Sequence, residues 1–158
     1  MIYIMNEKDE ELENIRRKKL EKMLQESKKK EVGRMYVRMV IPVLDESGLN
    51  ARLSEHFGRA PYFAVIELDS NGSVLKQRAV PNVSEHFGGS GRPPDRILQL
   101  EPDAIVTYGM GPRALTIFQN AKVAVLRATT NAVKGVIVAF NKGQLEELTE
   151  GCLHARHR

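Results

Sequence analysis

The chain has 158 residues, 42% of them hydrophobic and 28% charged, with 12 Gly and 7 Pro. That is the make-up of a globular protein long enough for one ordinary core, and it excludes collagenous, mucin-like and wholly disordered chains. A net charge of +4, from 24 Lys and Arg against 20 Asp and Glu, is too narrow a margin to argue for nucleic acid without a basic face or a known motif, and none is found. The single cysteine, Cys152, excludes an internal disulfide, and no run approaches the ~18 apolar residues of a membrane span. Glu7, Lys8, Asp9, Glu10 and Glu11 stand where a signal peptide would carry its apolar region, so a cytoplasmic location is expected.

Charge density divides the chain: residues 6–34 hold 18 charged side chains out of 29, and residues 35–158 hold 26 out of 124. Residues 1–35 therefore form a charged helical extension, rich in Glu, Lys, Leu and Met and free of Pro and Gly before Gly33. Its apolar stripe of Leu12, Ile15, Leu20, Met23 and Leu24 suffices to dock on another surface but not to form a core. A solvated arm, a partner-binding or dimerising helix and a nucleic-acid arm all fit this stretch. The intermixed Glu residues weigh against the last, because they repel the phosphates that Lys28, Lys29 and Lys30 attract.

From residue 36 to 150 the pattern predicts a compact α/β unit. Apolar runs and turn signals place strands over 37–43, 62–68 and 74–80, the last two joined through Asn71-Gly72. A helix over 92–100 opens on Pro93-Pro94 and is stopped by Pro102; a fourth strand covers 104–107, a second helix 112–120 and a fifth strand 123–126. Thr130 or Asn131 can cap a last helix carrying Ala132, Val133, Val136, Ile137 and Phe140, which Gly143 ends. The order β-β-β-α-β-α-β-α implies a ribonuclease H-like mixed five-stranded sheet, part hairpin-linked and part joined by right-handed crossovers, with an extra N-terminal helix. Residues 151–158 form a basic tail containing Cys152, His154 and His157, which are metal-binding types at a chain end that frays.

Four places carry candidate chemistry. Ser-Glu-His-Phe-Gly occurs twice, at 54–58 and 84–88, each beside a strand. His56 and His86 can each offer a loop-held imidazole to a metal, with glycine leaving room for close approach; an exposed polar histidine is the plainer alternative. Gly88, Gly89 and Gly91 lead through Arg92 into a predicted helix start, where backbone N–H groups attract anions. A flexible linker fits that stretch equally, and the missing Gly-Lys-Ser/Thr ending excludes a P-loop. Tyr108-Gly109-Met110-Gly111-Pro112 forms the turn at the carboxyl edge of the parallel half, where open α/β sheets bind ligands. The two glycines also serve a tight turn, and Met110 reads as a packed side chain before it reads as a thioether ligand. No catalytic set is found: the chain lacks a nucleophile elbow and a His-Glu-x-x-His, and the first strand carries no acid for two-metal nuclease chemistry.

Met39-Val40-Ile41-Pro42-Val43, the run Leu53-Ser54-Glu55-His56-Phe57-Gly58-Arg59-Ala60-Pro61-Tyr62-Phe63, the 88–91 glycines, Gly109-Met110-Gly111-Pro112 and the closing Phe140-Asn141-Lys142-Gly143-Gln144-Leu145 resemble the dinitrogenase iron–molybdenum cofactor biosynthesis domain. That is the NifX and NafY type, also found at the C-terminus of NifB, and the resemblance covers about 38–150. It implies a ribonuclease H-like fold that binds, carries or inserts an iron–sulfur or iron–molybdenum cluster without catalysing turnover. The cluster-holding histidine of the family's motif falls on His56, with Phe57 and Gly58 beside it. His86 is a local addition that could supply a second ligand. The loop around Gly88, Gly89, Gly91 and Arg92 and the turn of Gly109 and Gly111 would shape the pocket, with Arg59, Arg92 and Arg113 as counter-charges to an anionic cluster. Expected partners are proteins that donate or accept the cluster; nucleic acid and membrane are disfavoured, and the chain is expected as a monomer or a weak dimer through its N-terminal helix. The alternative is an interaction adaptor, in which that helix recruits a partner and the α/β unit is a scaffold.

Overall fold

The computed structural model describes residues 7–29, 36–83 and 92–150. The elements are α1 (Glu7–Lys29), β1 (Val37–Val43), β2 (Tyr62–Leu68), β3 (Val74–Pro81), α2 (Pro93–Leu98), β4 (Ala104–Thr107), α3 (Pro112–Asn120), β5 (Ala124–Arg127) and α4 (Val133–Asn141), with a short 3-10 turn at Gly48–Asn50. The strands form one sheet in the order β3-β2-β1-β4-β5. β1 runs antiparallel to β2 and parallel to β4, and β4 runs parallel to β5. This is the mixed sheet expected from the order of elements.

β1 is central, and helices cover both faces of the sheet, which is why its sequence is a continuous apolar run without alternation. Met39, Ile41 and Val43 project to one face and join Ile66, Val106 and Leu126 with Val133, Val136 and Ile137 of α4. Val40 projects to the other, where Phe63, Ile105 and Val125 meet Ile97 of α2 and Leu115 and Phe118 of α3. α1 lies over the first of these layers, with Leu20 and Met23 packed against it.

Several boundaries differ from the sequence reading: β3 runs one residue further, to Pro81, α2 starts one residue later, at Pro93, and three further shifts have a clear cause. α2 ends at Leu98 instead of running to residue 100, and the chain turns through Glu101 at φ 55 just before Pro102, whose ring disfavours helical backbone in the residue preceding it. β5 covers Ala124–Arg127, one residue later than 123–126; the Val123 amide donates back to Phe118 O at 2.9 Å and so belongs to the end of α3. Ala132, and neither Thr130 nor Asn131, precedes the first turn of α4. The cause is tertiary: Asn131 O accepts from Leu53 N, Val133 N donates to Ala51 O, and Arg52 bridges Ala132, so residues 131–133 pair as a short strand with 51–53 before the helix begins.

That pairing splits the sheet at its switch point. β1 and β4 pair only at Met39–Ala104 and Val40–Ile105. Beyond them the segment 52–54 takes the place of β4 beside β1, through Ser54 N to Pro42 O at 2.9 Å, Leu44 N to Arg52 O at 2.8 Å and the Val43–Leu53 bridge. Pro42 is tolerated in a central strand because its missing N–H falls on the side that β4 has already left. A cleft opens there, at the carboxyl ends of the parallel strands.

Candidate functional site

The cleft has a volume of about 390 Å³ and is lined by Leu44, Arg52, Leu53, Ser54, Glu55, His56, Tyr108 and Asn131. Its walls are the loop after β1, the first residue after β4 and the segment after β5, three connections that the parallel strands bring to one edge.

His56 is half-buried and lines this cleft. Its backbone is held from both sides. Upstream, the Ser54 hydroxyl, only 2% exposed, donates to His56 O at 3.0 Å and accepts from His56 N at 3.2 Å, a local turn closed by a side chain. Downstream, Phe57 is buried in the second core layer, edge-on to Phe118 with centroids 5.7 Å apart and tilted against Phe63 at 6.5 Å. In His-Phe-Gly the phenylalanine is thus the anchor and the imidazole the presented group.

Asn82, at the end of β3, fixes the rest of the loop. Its Nδ2 donates to Gly58 O at 3.2 Å and Ala60 O at 2.8 Å, while its Oδ1 accepts from Arg96 Nε and one terminal nitrogen of Arg96 at 3.0 and 2.8 Å. Pro93 of α2 packs beside Gly58, with its ring 3.7 Å from where a β-carbon would stand. Loop, strand end and α2 are one hydrogen-bonded unit.

Tyr108 donates its hydroxyl proton to Thr130 O at 3.0 Å, spanning the cleft floor. Burial pushes the Tyr108 hydroxyl above its ordinary pKa; the nearby Glu55 carboxylate adds to that and Arg52 opposes it. Gly109 O accepts from the buried Thr107 hydroxyl at 3.2 Å, and Gly111 precedes the first turn of α3. Met110 is 2% exposed in the second core layer, so its thioether packs.

Arg92, Arg59 and Arg113 are exposed. The Arg92 guanidinium stands 3.6 Å from Asp95, whose carboxylate also accepts the Arg92 amide at 3.2 Å. With Pro93 and Pro94 supplying no N–H, this helix start already carries its anion. His86, Gly88, Gly89 and Gly91 lie outside the described residues, as do Cys152, His154 and His157. Among the described residues no three His, Cys, Asp or Glu converge on a common point. The sequence marks neither Arg52 nor Asn82, and it offers Asn131 only as a helix cap; their places in the site come from the strand-like pairing of 51–53 with 131–133 and from the end of β3, neither of which leaves a motif. Tyr108 had a signal, its place directly after a parallel strand.

Comparison with known proteins matches this architecture. The chain is 29% identical over 100 residues to the uncharacterized protein MJ0580 of Methanocaldococcus jannaschii, covering 62% of this chain and 84% of that one. The crystal structure of PH0822 superposes with a TM-score of 0.60 at 29% identity, over 72% of this chain and 96% of that one. The apo form of the orange protein from Desulfovibrio gigas (TM-score 0.59, 20% identity, 72% and 93% covered) and a candidate NifB protein from Thermotoga (0.59, 24%, 73% and 97%) share the fold. The profile of the dinitrogenase iron–molybdenum cofactor family matches residues 38–143, from the start of β1 to the glycine that ends α4, and the chain belongs to that family.

Proposed function

We propose that the protein is a non-catalytic carrier, which binds an anionic iron–sulfur or iron–molybdenum-type cluster as cargo in the carboxyl-edge cleft and exchanges it with donor and acceptor proteins in the cytoplasm. The observation that carries this reading is the presentation of His56: the buried Ser54 hydroxyl on one side and Phe57 on the other hold the backbone, leaving the imidazole on the cleft wall. Binding there pays little ordering entropy. A resident metal ion asks for three or four protein ligands, whereas the described cleft offers one imidazole nitrogen and one carboxylate, that of Glu55, beside the Arg52 cation and a tyrosine hydroxyl already bonded to Thr130 O. Such a donor set suits a cluster that brings its own sulfides and later leaves. No helix among the described residues is long and apolar enough to cross a membrane.

The test is anaerobic reconstitution with iron and sulfide and, separately, with isolated iron–molybdenum cofactor, following visible absorption and bound metal. His56→Ala is expected to abolish stoichiometric binding while the thermal unfolding midpoint stays near that of the parent. Glu55→Gln is expected to tighten binding and Arg52→Ala to weaken it, each a few-fold, as for charges worth about 0.2–1 kcal/mol at an exposed site. Equal metal content in parent and His56→Ala would refute the reading.

A further inference from the structure

The N-terminal helix carries a charge order that docking on its own domain uses only in part. Residues 7–13 hold five acids (Glu7, Asp9, Glu10, Glu11, Glu13) against one base, Lys8, a net charge of −4. Residues 16–22 hold five bases (Arg16, Arg17, Lys18, Lys19, Lys22) against one acid, Glu21, a net charge of +4. The order is antisymmetric about the Asn14–Ile15 step. Charged residues whose numbers sum to 29 are Glu7 with Lys22, Lys8 with Glu21, Glu10 with Lys19, Glu11 with Lys18 and Glu13 with Arg16, none of them a like-charge pair, while Asp9 and Arg17 mirror Leu20 and Leu12. Even the one base of the acidic block mirrors the one acid of the basic block. The helix macrodipole does not explain this, because its effect fades within the first and last turns; here the acids continue to Glu13 and the bases stand at 16–22 of a helix that runs from Glu7 to Lys29.

At the centre of the pattern lie two exposed apolar side chains, Leu12 at 44% and Ile15 at 58% exposure. Leu20 and Met23 are packed against the domain core, while Ile15 and Leu12, about one and two turns earlier, are outside that packing, Ile15 bordering an open groove beside Arg127, Glu146 and Leu148. Arg16 and Lys19 reach Glu146 and Glu147 at 3.1 and 3.5 Å but stay 47% and 59% exposed, and Lys18 and Lys22 are exposed.

We infer that α1 is a self-association element whose occupant is α1 of a second copy, paired antiparallel about a two-fold axis near the Asn14–Ile15 step. Leu12 and Ile15 form the middle of the seam, and the acidic block of each copy lies along the basic block of the other. A two-fold contact needs a surface complementary to itself, and at 100° per residue Glu7, Glu11, Lys18 and Lys22 share one flank of the Leu12–Ile15 stripe, so this register sets Glu7 against Lys22 and Glu11 against Lys18 in attraction. A parallel, in-register pair would place like on like and is selected against. The inference concerns the apo chain and stands independently of what the cleft binds.

Sedimentation velocity of the full chain is the test, with three double-charge arms. The parent is expected to show twice the monomer mass at low salt and to revert to monomer at about 1 M salt, where the screening length falls to about 3 Å. Lys18→Glu/Lys22→Glu alone and Glu7→Lys/Glu11→Lys alone are each expected as monomers, since each sets like charges face to face. Their equimolar mixture is expected to form the heterodimer, because Glu7 and Glu11 of the first variant then meet Lys22 and Lys18 of the second, and its two introduced glutamates meet the two introduced lysines. Restoration by mixing excludes misfolding as the cause of the losses. A parent that is monomeric at every concentration, or dimeric variants that ignore the reversals, would overturn the proposal; the first outcome would hand the helix to a different protein as partner.

Discussion

At the scale of single residues the cleft is built by side chains that do different jobs from those their chemistry suggests in isolation. Met110 is a soft ligand type that packs, Phe57 is an apolar residue that positions the candidate ligand, and Tyr108 is a titratable group used as a strut. The strut has a pH consequence. Burial first and Glu55 second hold the Tyr108 proton above the ordinary value of 10.0. The folded state therefore binds this proton more tightly than the unfolded chain, so the contribution is complete below pH 10 and is lost as the pH rises from there through the folded-state value. Tyr108→Phe should remove this alkaline dependence and cost about 0.5–1.5 kcal/mol at neutral pH for the lost bond to Thr130 O. Denaturant unfolding between pH 7 and 11 checks both points, with the phenolate absorbance of the parent expected to contain a late-titrating component that the variant lacks. Superimposable alkaline stability profiles would contradict the assignment.

At the scale of elements, most of the fold was legible in the sequence because its signals are local. β1 announced itself as a buried strand through an unbroken apolar run, and the hairpin through Asn71-Gly72, where Asp69 Oδ1 accepts from the Asn71 and Ser73 amides and Gly72 adopts φ 83. α4 showed helical spacing. What was not legible depends on partners distant in the chain: the start of α4 is delayed because 131–133 pair with 51–53, some 80 residues earlier. The cleft was half legible. The His-Phe-Gly string marked His56, but Arg52 and Asn131 reach the wall only through that same long-range pairing. Asn82 is the sharpest case, an asparagine in a turn-rich stretch whose function is to tie the loop after β1 to α2. Asn82→Ala leaves Gly58 O, Ala60 O and the Arg96 guanidinium without these bonds, and a cost of about 1–3 kcal/mol is expected. Hydrogen exchange should accelerate at residues 56–61 while the β1 and β4 amides stay protected. Uniform acceleration across the sheet would instead mean that Asn82 serves global stability.

For the whole molecule the question is what α1 contributes to a unit whose family match begins only at residue 38. None of the described contacts of α1 is to a residue that lines the cleft. α4 starts beside Arg52 and ends at Asn141, whose Nδ2 donates to Gly72 O at the opposite end of the sheet, and α1 bears on that far end, where Arg17 stands against Gly143 and Leu20 near Phe140 and Leu145. The Arg17 guanidinium there faces the negative end of α4. The two ion pairs to Glu146 and Glu147 involve side chains 18–59% exposed, a class worth about 0–1 kcal/mol each and weakened by salt. Leu20 and Met23 are the apolar part of the dock, and both remain partly exposed. Docking of α1 is therefore weak compared with the two core layers, and its release should not unfold them. A chain beginning at residue 35 is expected to unfold cooperatively with a midpoint only a few degrees lower, as for a loss of ~1 kcal/mol in a domain of this size, and to bind cluster within about two-fold of the parent. In the full chain, salt should speed trypsin cleavage after Arg16, Arg17, Lys18 and Lys19 while the midpoint of the domain barely moves. Loss of cluster binding on truncation would place the helix in the binding machinery, against its described contacts with α4 and β5, none of which reaches the cleft lining; loss of partner recruitment with cluster binding kept would favour the adaptor reading.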